Sequence, residues 1–259
     1  MELRIDQNVL DCFPNLNVTK DNDVVTVKFA GENNSDFLFP LNFPLHNLDS
    51  LSWERIDEIG RAGKARMFFA LGATKKDYMK NGFVAEYQIM DFDHDDLADN
   101  NGKAPISWDM VALYKDEIYM KRNSESSCWD ECDGREFLNG DFYNNMSDEL
   151  RAIVKPVWKL TANKNGEIVK SKDYVWLKSE KELYGRTFYS NEGEGHWYAL
   201  FMQEDFPWFK MNGENEKDWQ WLRSVCAGYS NGFCCVGTGG SPNNYYSGYS
   251  YGVAPDFCT

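Results

Sequence analysis

Ser224 to Thr259 reads S-V-C-A-G-Y-S-N-G-F-C-C-V-G-T-G-G-S-P-N-N-Y-Y-S-G-Y-S-Y-G-V-A-P-D-F-C-T. These 36 residues hold no Lys, Arg, Glu, Gln, Met, Trp or His, and Asp256 is their one charged residue. A stretch of this length with average charge content would carry about nine. Seven Gly, five Tyr, five Ser, three Asn and four Cys fill it instead. Such a composition fits a low-complexity tail. It also fits a recognition surface, because Tyr offers large contact area at low entropic cost and Ser, Gly and Asn offer adaptable hydrogen bonds. Apolar anchors favour the second reading. Trp219-Gln220-Trp221-Leu222 leads in, Phe233-Cys234-Cys235-Val236 reads as a short buried strand, and Val253-Ala254 and Phe257-Cys258 close the segment. The pattern predicts a chain threaded through a core, with its polar loops outside.

Working outward, the 259 residues suffice for one large domain or one domain with an extension. The chain is 42% hydrophobic and 15% aromatic, so a large core can form. A formal net charge of −14 argues against a nucleic-acid backbone or an anionic membrane surface as partner. No apolar run is long enough to insert into a membrane. The N-terminus lacks a cationic and apolar signal pattern, so synthesis in the cytoplasm without a signal peptide is expected. Seven cysteines without a secretory signal read as reduced thiols. Neither their spacing nor the three His supports a zinc site, and no metal or cofactor is expected.

Residues 1–48 read as an N-terminal arm or small attachment element, with a strand at Asp23–Ala30. Residues 49–259 read as the main domain. Ser52 caps a helix through Trp53, Ile56 and Ile59, ended by Gly60 and Gly63. Phe83–Phe92 alternates as a strand. A second helix is expected over Asp133–Asn145 and a third after Ser147. Tyr174–Leu177 reads as a buried strand, and Ser179 with Glu182 as a capping box. Few regular strands are evident beyond it. The fold class is α+β with much irregular structure.

Two polar clusters invite chemistry. Asp91, Asp93 and Asp95 resemble the opening of a calcium loop, but Asp96 stands where the turn needs Gly and Gly102 where the loop needs Glu. A solvated acidic turn, with His94 as a hydrogen-bonding loop residue, is the expectation. Glu192, Glu194 and His196 could serve acid–base work; a surface loop shaped by Gly193 and Gly195 explains them as well. The tail cysteines Cys226, Cys234, Cys235 and Cys258 lie beyond the last cation, Arg223, and nothing nearby would lower a thiol pKa.

The frame Trp221-Leu-Arg-Ser224 … Phe233-Cys234 … Val236 … Gly252-Val-Ala254 … Phe257-Cys258 resembles the C-terminal variable region of proteins diversified by diversity-generating retroelements, within an uncharacterised domain common in gut bacteria and their phages. Upstream, Ser52-Trp53-Glu54, Asp91–Leu97, Arg135–Asn139 and Ser179–Glu182 are similar to other segments of that family. The resemblance spans roughly residues 50–259. Val225, Pro255 and Asp256 depart from the family's pattern. Adenine-directed mutagenesis of Asn codons in that class reaches Asn, Tyr, Ser and Gly but not Lys, Glu, Gln, Met or Trp.

The resemblance implies a C-type-lectin-like domain, akin in fold to the formylglycine-generating enzyme. It implies a variable region at about 224–259 and a ligand-binding surface at Tyr229, Ser230, Asn231, Cys235, Asn243, Asn244, Tyr245, Tyr246, Tyr249, Tyr251 and Asp256. The expected partner is a protein or glycan on a bacterial cell surface, met by a virion-associated, phage-encoded receptor-binding protein with no catalytic residues. The N-terminal arm would serve a homo-oligomer. The calcium-holding runs of sugar-binding lectins, E-P-N and W-N-D, do not occur here. Two alternatives stand. One is a copper-dependent cysteine oxidase on the same fold, using Cys226 with Cys234 or Cys235. The other is a structural virion component.

Overall fold

The computed structural model describes residues 16–21, 24–29 and 44–259. Strands β1 (Leu16–Asp21) and β2 (Val24–Phe29) pair antiparallel with each other. The rest of the N-terminal arm up to residue 43 lies outside the described residues. The main sheet takes in the end of that stretch, since β3 (Leu45–Asn47) pairs with β4 (Phe69–Tyr78) and Leu45 and Leu48 are buried. Between β3 and β4 lies helix α1 (Trp53–Arg61). Ser52 caps it by accepting the Arg55 amide at 3.1 Å, and Trp53, Ile56 and Ile59 fall on the buried face. A single turn, α2 (Ala65–Phe68), leads into β4.

Strands β5 (Val84–Phe92) and β6 (Ile106–Met110) continue the sheet antiparallel. The expected second helix forms over the expected residues, in three joined pieces. Helix α3 (Asp133–Phe137) runs into a π turn at Leu138–Phe142 and on into α4 (Tyr143–Asn145). The wide turn carries Asn139, whose amide donates to the Val175 carbonyl at 2.9 Å and accepts from the Tyr174 amide at 2.8 Å. Ser147 caps α5 (Asp148–Ile153).

The hairpin β7 (Val157–Ala162) and β8 (Ile168–Asp173) follows, then β9 (Val175–Trp176) and α6 (Glu180–Tyr184), which starts with the expected Ser179–Glu182 capping box. Six more strands follow, contrary to the sequence expectation of few. They are β10 (Lys210–Met211), β11 (Lys217–Asp218), β12 (Gln220–Val225), β13 (Gly232–Val236), β14 (Pro242–Tyr246) and β15 (Asp256–Cys258). Gly, Asn and Ser hide strands from propensity, but here pairing to buried neighbours overrides it. The fold is mixed α+β, mostly sheet, with few and short helices. Among the described residues no helix is long and apolar enough to cross a membrane.

The main sheet runs in the order β3-β4-β5-β6-β15-β9, so the last strand lies inside it. Phe257 faces Trp108 on β6 and Val175 on β9. Its ring sits 4.8 Å from Tyr87 and 6.0 Å from Trp53, edge-on to both, and stacks on Trp108 at 6.1 Å. All four side chains are buried. Strands β12, β13 and β14 form a second, three-stranded sheet.

Charges are buried between these layers. Arg223 is fully buried on β12. It grips both carboxylate oxygens of Glu182 and donates to the carbonyls of Leu177 (2.8 Å), Leu160 (3.2 Å) and Glu194 (3.2 Å) and to the Thr161 hydroxyl (3.0 Å). Lys159 reaches Glu182 and Asp95 at 2.7 Å each, and the Tyr198 hydroxyl at 2.9 Å. Burial alone would raise the Glu182 carboxyl, but Arg223 and Lys159 hold it down at about 2. A second group joins Lys178 to Asp109 and Asp256 at 2.6 Å each, with Lys210 on the other oxygen of Asp109 at 2.6 Å.

Phe257→Ala should cost about 3–5 kcal/mol, the range for emptying a large aromatic from a core. Arg223→Met should cost a similar amount, about 3–5 kcal/mol, because it strands Glu182 without its main partner. Urea unfolding of each variant checks both; a loss under about 1 kcal/mol would refute the role given to that residue.

Candidate ligand-binding site

The tail is built on buried residues that hold its loops outward. Trp221, Leu222, Arg223 and Ser224 are all buried on β12. The Trp221 indole donates to the Ile118 carbonyl at 2.9 Å. The Ser224 hydroxyl accepts the Glu180 amide at 2.9 Å and donates to the Glu194 carboxylate. Phe233, Cys234 and Val236 are fully buried on β13. Gly252 lies so close to its neighbours that a Cβ there would stand 2.5 Å from Leu113 and 3.1 Å from the Trp219 carbonyl oxygen. Only Gly allows that approach.

Strand β14 is the edge of the small sheet, and its exposure rises along its length. It pairs with β13 so that Phe233 faces Tyr245 and Gly232 faces Tyr246. Successive side chains point to opposite faces, and the two tyrosines join different ring groups. Tyr245 packs with Trp219 (6.0 Å), Tyr249 (4.8 Å) and Tyr251 (5.6 Å). Tyr251 in turn stacks on Trp219 at 5.4 Å and touches Trp221 at 4.8 Å. Tyr246 packs on Tyr229 at 5.6 Å. Tyr245, Tyr246 and Tyr249 remain 37%, 48% and 51% exposed. The platform is braced from below: the Ser127 amide donates to the Ser230 carbonyl at 2.8 Å, the Gly248 amide to the Ser124 hydroxyl at 3.1 Å, and the Ser247 amide to the Asn231 carbonyl at 2.9 Å.

Nine of the eleven expected display positions therefore reach the surface, with Tyr229, Ser230, Asn231, Asn243, Asn244 and Tyr251 half-buried. Two do not. Cys235 is fully buried, because β13 is the middle strand, and burial pushes its thiol up to about 12. Asp256 is fully buried in the main sheet against Lys178; desolvation raises its carboxyl well above the usual range. Trp219 was missing from the expected set. It lies two residues before Trp221, and strand alternation puts both on the Tyr251 side.

The other candidate clusters resolve differently from expectation. Asp91, Asp93 and Asp95 do not converge. Asp91 accepts the Ala199 amide at 2.9 Å, Asp93 faces Arg66 at 3.5 Å, and Asp95 binds Lys159. Asp91 and Asp95 are buried, so the segment is not a solvated turn. Among the described residues no group of acids, His or Cys could hold a metal ion. Glu194 is fully buried, not part of a surface loop. It accepts the Ala162 amide at 2.8 Å and the Ser224 hydroxyl, and desolvation pushes it up to about 7. The thiols of Cys234 and Cys258 are pushed far up, chiefly by desolvation, which weighs against a thiolate nucleophile.

A family model described as Domain of unknown function (DUF6273) matches residues 101–259, more than half of the chain. The chain belongs to that family. No curated protein matches the chain, and no solved structure does. The matched span takes in the whole tail, its braces and the strands that bury it.

Glu194 sets a pH dependence. Its ordinary value is 4.5 and its folded value about 7. The folded state thus binds the proton more tightly, and this contribution is fully present below pH 4.5 and lost as pH rises to about 7. The shift corresponds to about 3 kcal/mol at most. Glu194→Gln keeps the bond from the Ala162 amide, turns the Ser224 contact into one its own NH2 donates, and cannot ionise. Urea unfolding at pH 5 and pH 7.5 should show the native protein losing more stability than the variant between the two; equal losses would refute the assignment.

Proposed function

We propose that this protein is a diversified ligand-binding protein, a phage receptor-binding or surface-recognition protein whose Tyr-rich tail meets a protein or glycan on a bacterial cell. The observation that carries the reading is the set of exposed rings of Tyr245, Tyr246 and Tyr249, standing on a frame of wholly buried residues. Rings fixed at one edge give contact area at little entropic cost, and Asn243, Asn244, Ser230 and Asn231 beside them set specificity through hydrogen bonds. The uncharged composition of the tail supports diversification, since its surface residues are of types reachable from Asn codons. The finer fold we propose is C-type-lectin-like. The separate small sheet displays the tail, while β15 returns to close the main sheet. Binding proceeds without chemistry and without a cofactor.

The DNA beside the gene tests diversification. A near-copy of the 3′ end, differing at template adenines and lying near a reverse-transcriptase gene, is expected. A flanking sequence with neither would refute diversification. The platform itself is tested by the triple variant Tyr245→Ala, Tyr246→Ala, Tyr249→Ala. It should melt within a few degrees of the native protein, because each ring is over a third exposed. It should also lose cell-surface binding by about a hundredfold or more, about 2.8 kcal/mol or more, as expected for central aromatic anchors. A collapse in melting temperature would assign the rings to the core instead.

A further inference from the structure

A second concave site lies at the far end of β14 from the tyrosine platform. It is a cleft of about 590 Å³ walled by Tyr184, Phe188, Trp197 and Trp208, with Arg186 at its mouth and the turn Gly239–Pro242 as its end wall. That volume falls in the range of small-molecule sites, which are lined mainly by aromatic and apolar groups with few polar ones. Tyr184 forms the floor and is nearly buried, whereas Phe188 and Trp208 are 43% and 37% exposed. Both stand edge-on to it, Phe188 at 5.6 Å and 83°, Trp208 at 5.1 Å and 77°. The result is a trough with two upright aromatic walls.

Each wall is held in place by a hydrogen bond that has no bearing on the exposed faces. The Tyr184 hydroxyl donates to the Gly240 carbonyl at 3.0 Å. The Trp197 indole donates to the Leu183 carbonyl at 3.0 Å. Gln220 donates to the Trp208 carbonyl at 3.0 Å. The buried Glu180 carboxylate accepts the amides of Phe188, Tyr189 and Ser190 at 2.8–2.9 Å, which fixes the loop carrying Phe188. Rings held this way are preorganised, so a ligand meets them with little ordering cost.

The electrostatics select the ligand. Arg186 is the only charged residue lining the cleft, on a chain of formal net charge −14. Its guanidinium lies 4.5 Å from the centre of the Phe188 ring, and no carboxylate among the described residues forms an ion pair with it. A guanidinium over an aromatic ring still has N–H donors to offer a carboxylate in a two-pronged contact. We propose that this cleft binds an acidic sugar, a uronic acid unit whose pyranose face lies against Trp208 or Phe188 and whose carboxylate meets Arg186. Pyranose C–H groups carry partial positive charge and fit the negative face of an aromatic ring. Ser241, exposed on the end wall, is placed to meet a ring hydroxyl. The four aromatic walls and Arg186 precede residue 224, and only the end wall Gly239–Pro242 belongs to the tail, so the site is separate from the tyrosine rings and does not rest on the reading given to them.

The test is titration of the full chain with digalacturonic acid, with its neutral counterpart α-1,4-galactobiose, and with benzoate, followed by tryptophan fluorescence and saturation-transfer NMR. Digalacturonate should bind at least about tenfold more tightly than galactobiose, a gap of about 1.4 kcal/mol. Arg186→Gln should bring the two sugars within about twofold of each other, and Trp208→Ala should weaken both by about tenfold or more. Equal affinity for both sugars in the native protein would overturn the proposal, as would no binding of either. Benzoate binding in preference to digalacturonate would overturn the sugar assignment in favour of an aromatic acid. An unfolded Trp208→Ala, seen by circular dichroism, leaves Arg186→Gln, on the rim, to decide.

Discussion

A single buried guanidinium ties the two halves of this molecule together. Arg223 sits at the start of the tail, fully out of water, and its donors reach the β7 strand, the chain before α6, Glu182 within α6 and the Glu194 loop. A buried cation without partners would be prohibitive, so these elements must arrive in register or not at all. The arrangement yields specificity of position more than net stability, because desolvation offsets much of the Coulombic gain. The planar fork of Arg fits this many acceptors where the point charge of Lys would not. Once Arg223 is fixed, Trp221 and Ser224 on the same strand are fixed too, and the loops beyond β12 leave from a rigid base.

The second charged group does the same for the end of the chain. Lys178 stands between Asp109 on β6 and Asp256 on β15. It therefore marks the slot into which the last strand fits. Residues so far apart in sequence close large loops before they gain contacts, and folds of this kind form slowly.

Much of the scaffold was legible because local rules agreed with the tertiary outcome. Ser52, Ser147 and Ser179 each announced a helix start, and each caps one. Phe233–Val236 announced a buried strand. The other five strands after residue 200 were not legible, because two-residue strands and a run such as Pro242–Tyr246 give no period-2 pattern; pairing to a covered partner decides them. Most of the surface positions followed from the family resemblance, whose frame residues mark the stretches between them. Cys235 and Asp256 did not, for one reason in common. Each lies in a strand flanked on both sides by others, and a single sequence does not reveal strand order. Asp95 and Glu194 looked like solvated acids for a related reason: their partners lie 64 and 30 residues away, at Lys159 and Ser224.

The place of β15 has a consequence for synthesis. The strand that joins β6 to β9 is the last to be translated of all those described, so neither neighbour finds its partner until the stretch around Phe257 has emerged. A polypeptide that stops early, or shifts frame anywhere between Ser224 and Ala254, keeps two open sheet edges and an unroofed aromatic cluster around Trp108. Such edges invite aggregation and proteolysis. A substitution at Tyr246 or Tyr249 leaves the strand intact. Completion of the fold thus depends on the reading frame being held through Cys258, whereas changes at the exposed tail positions leave that strand untouched.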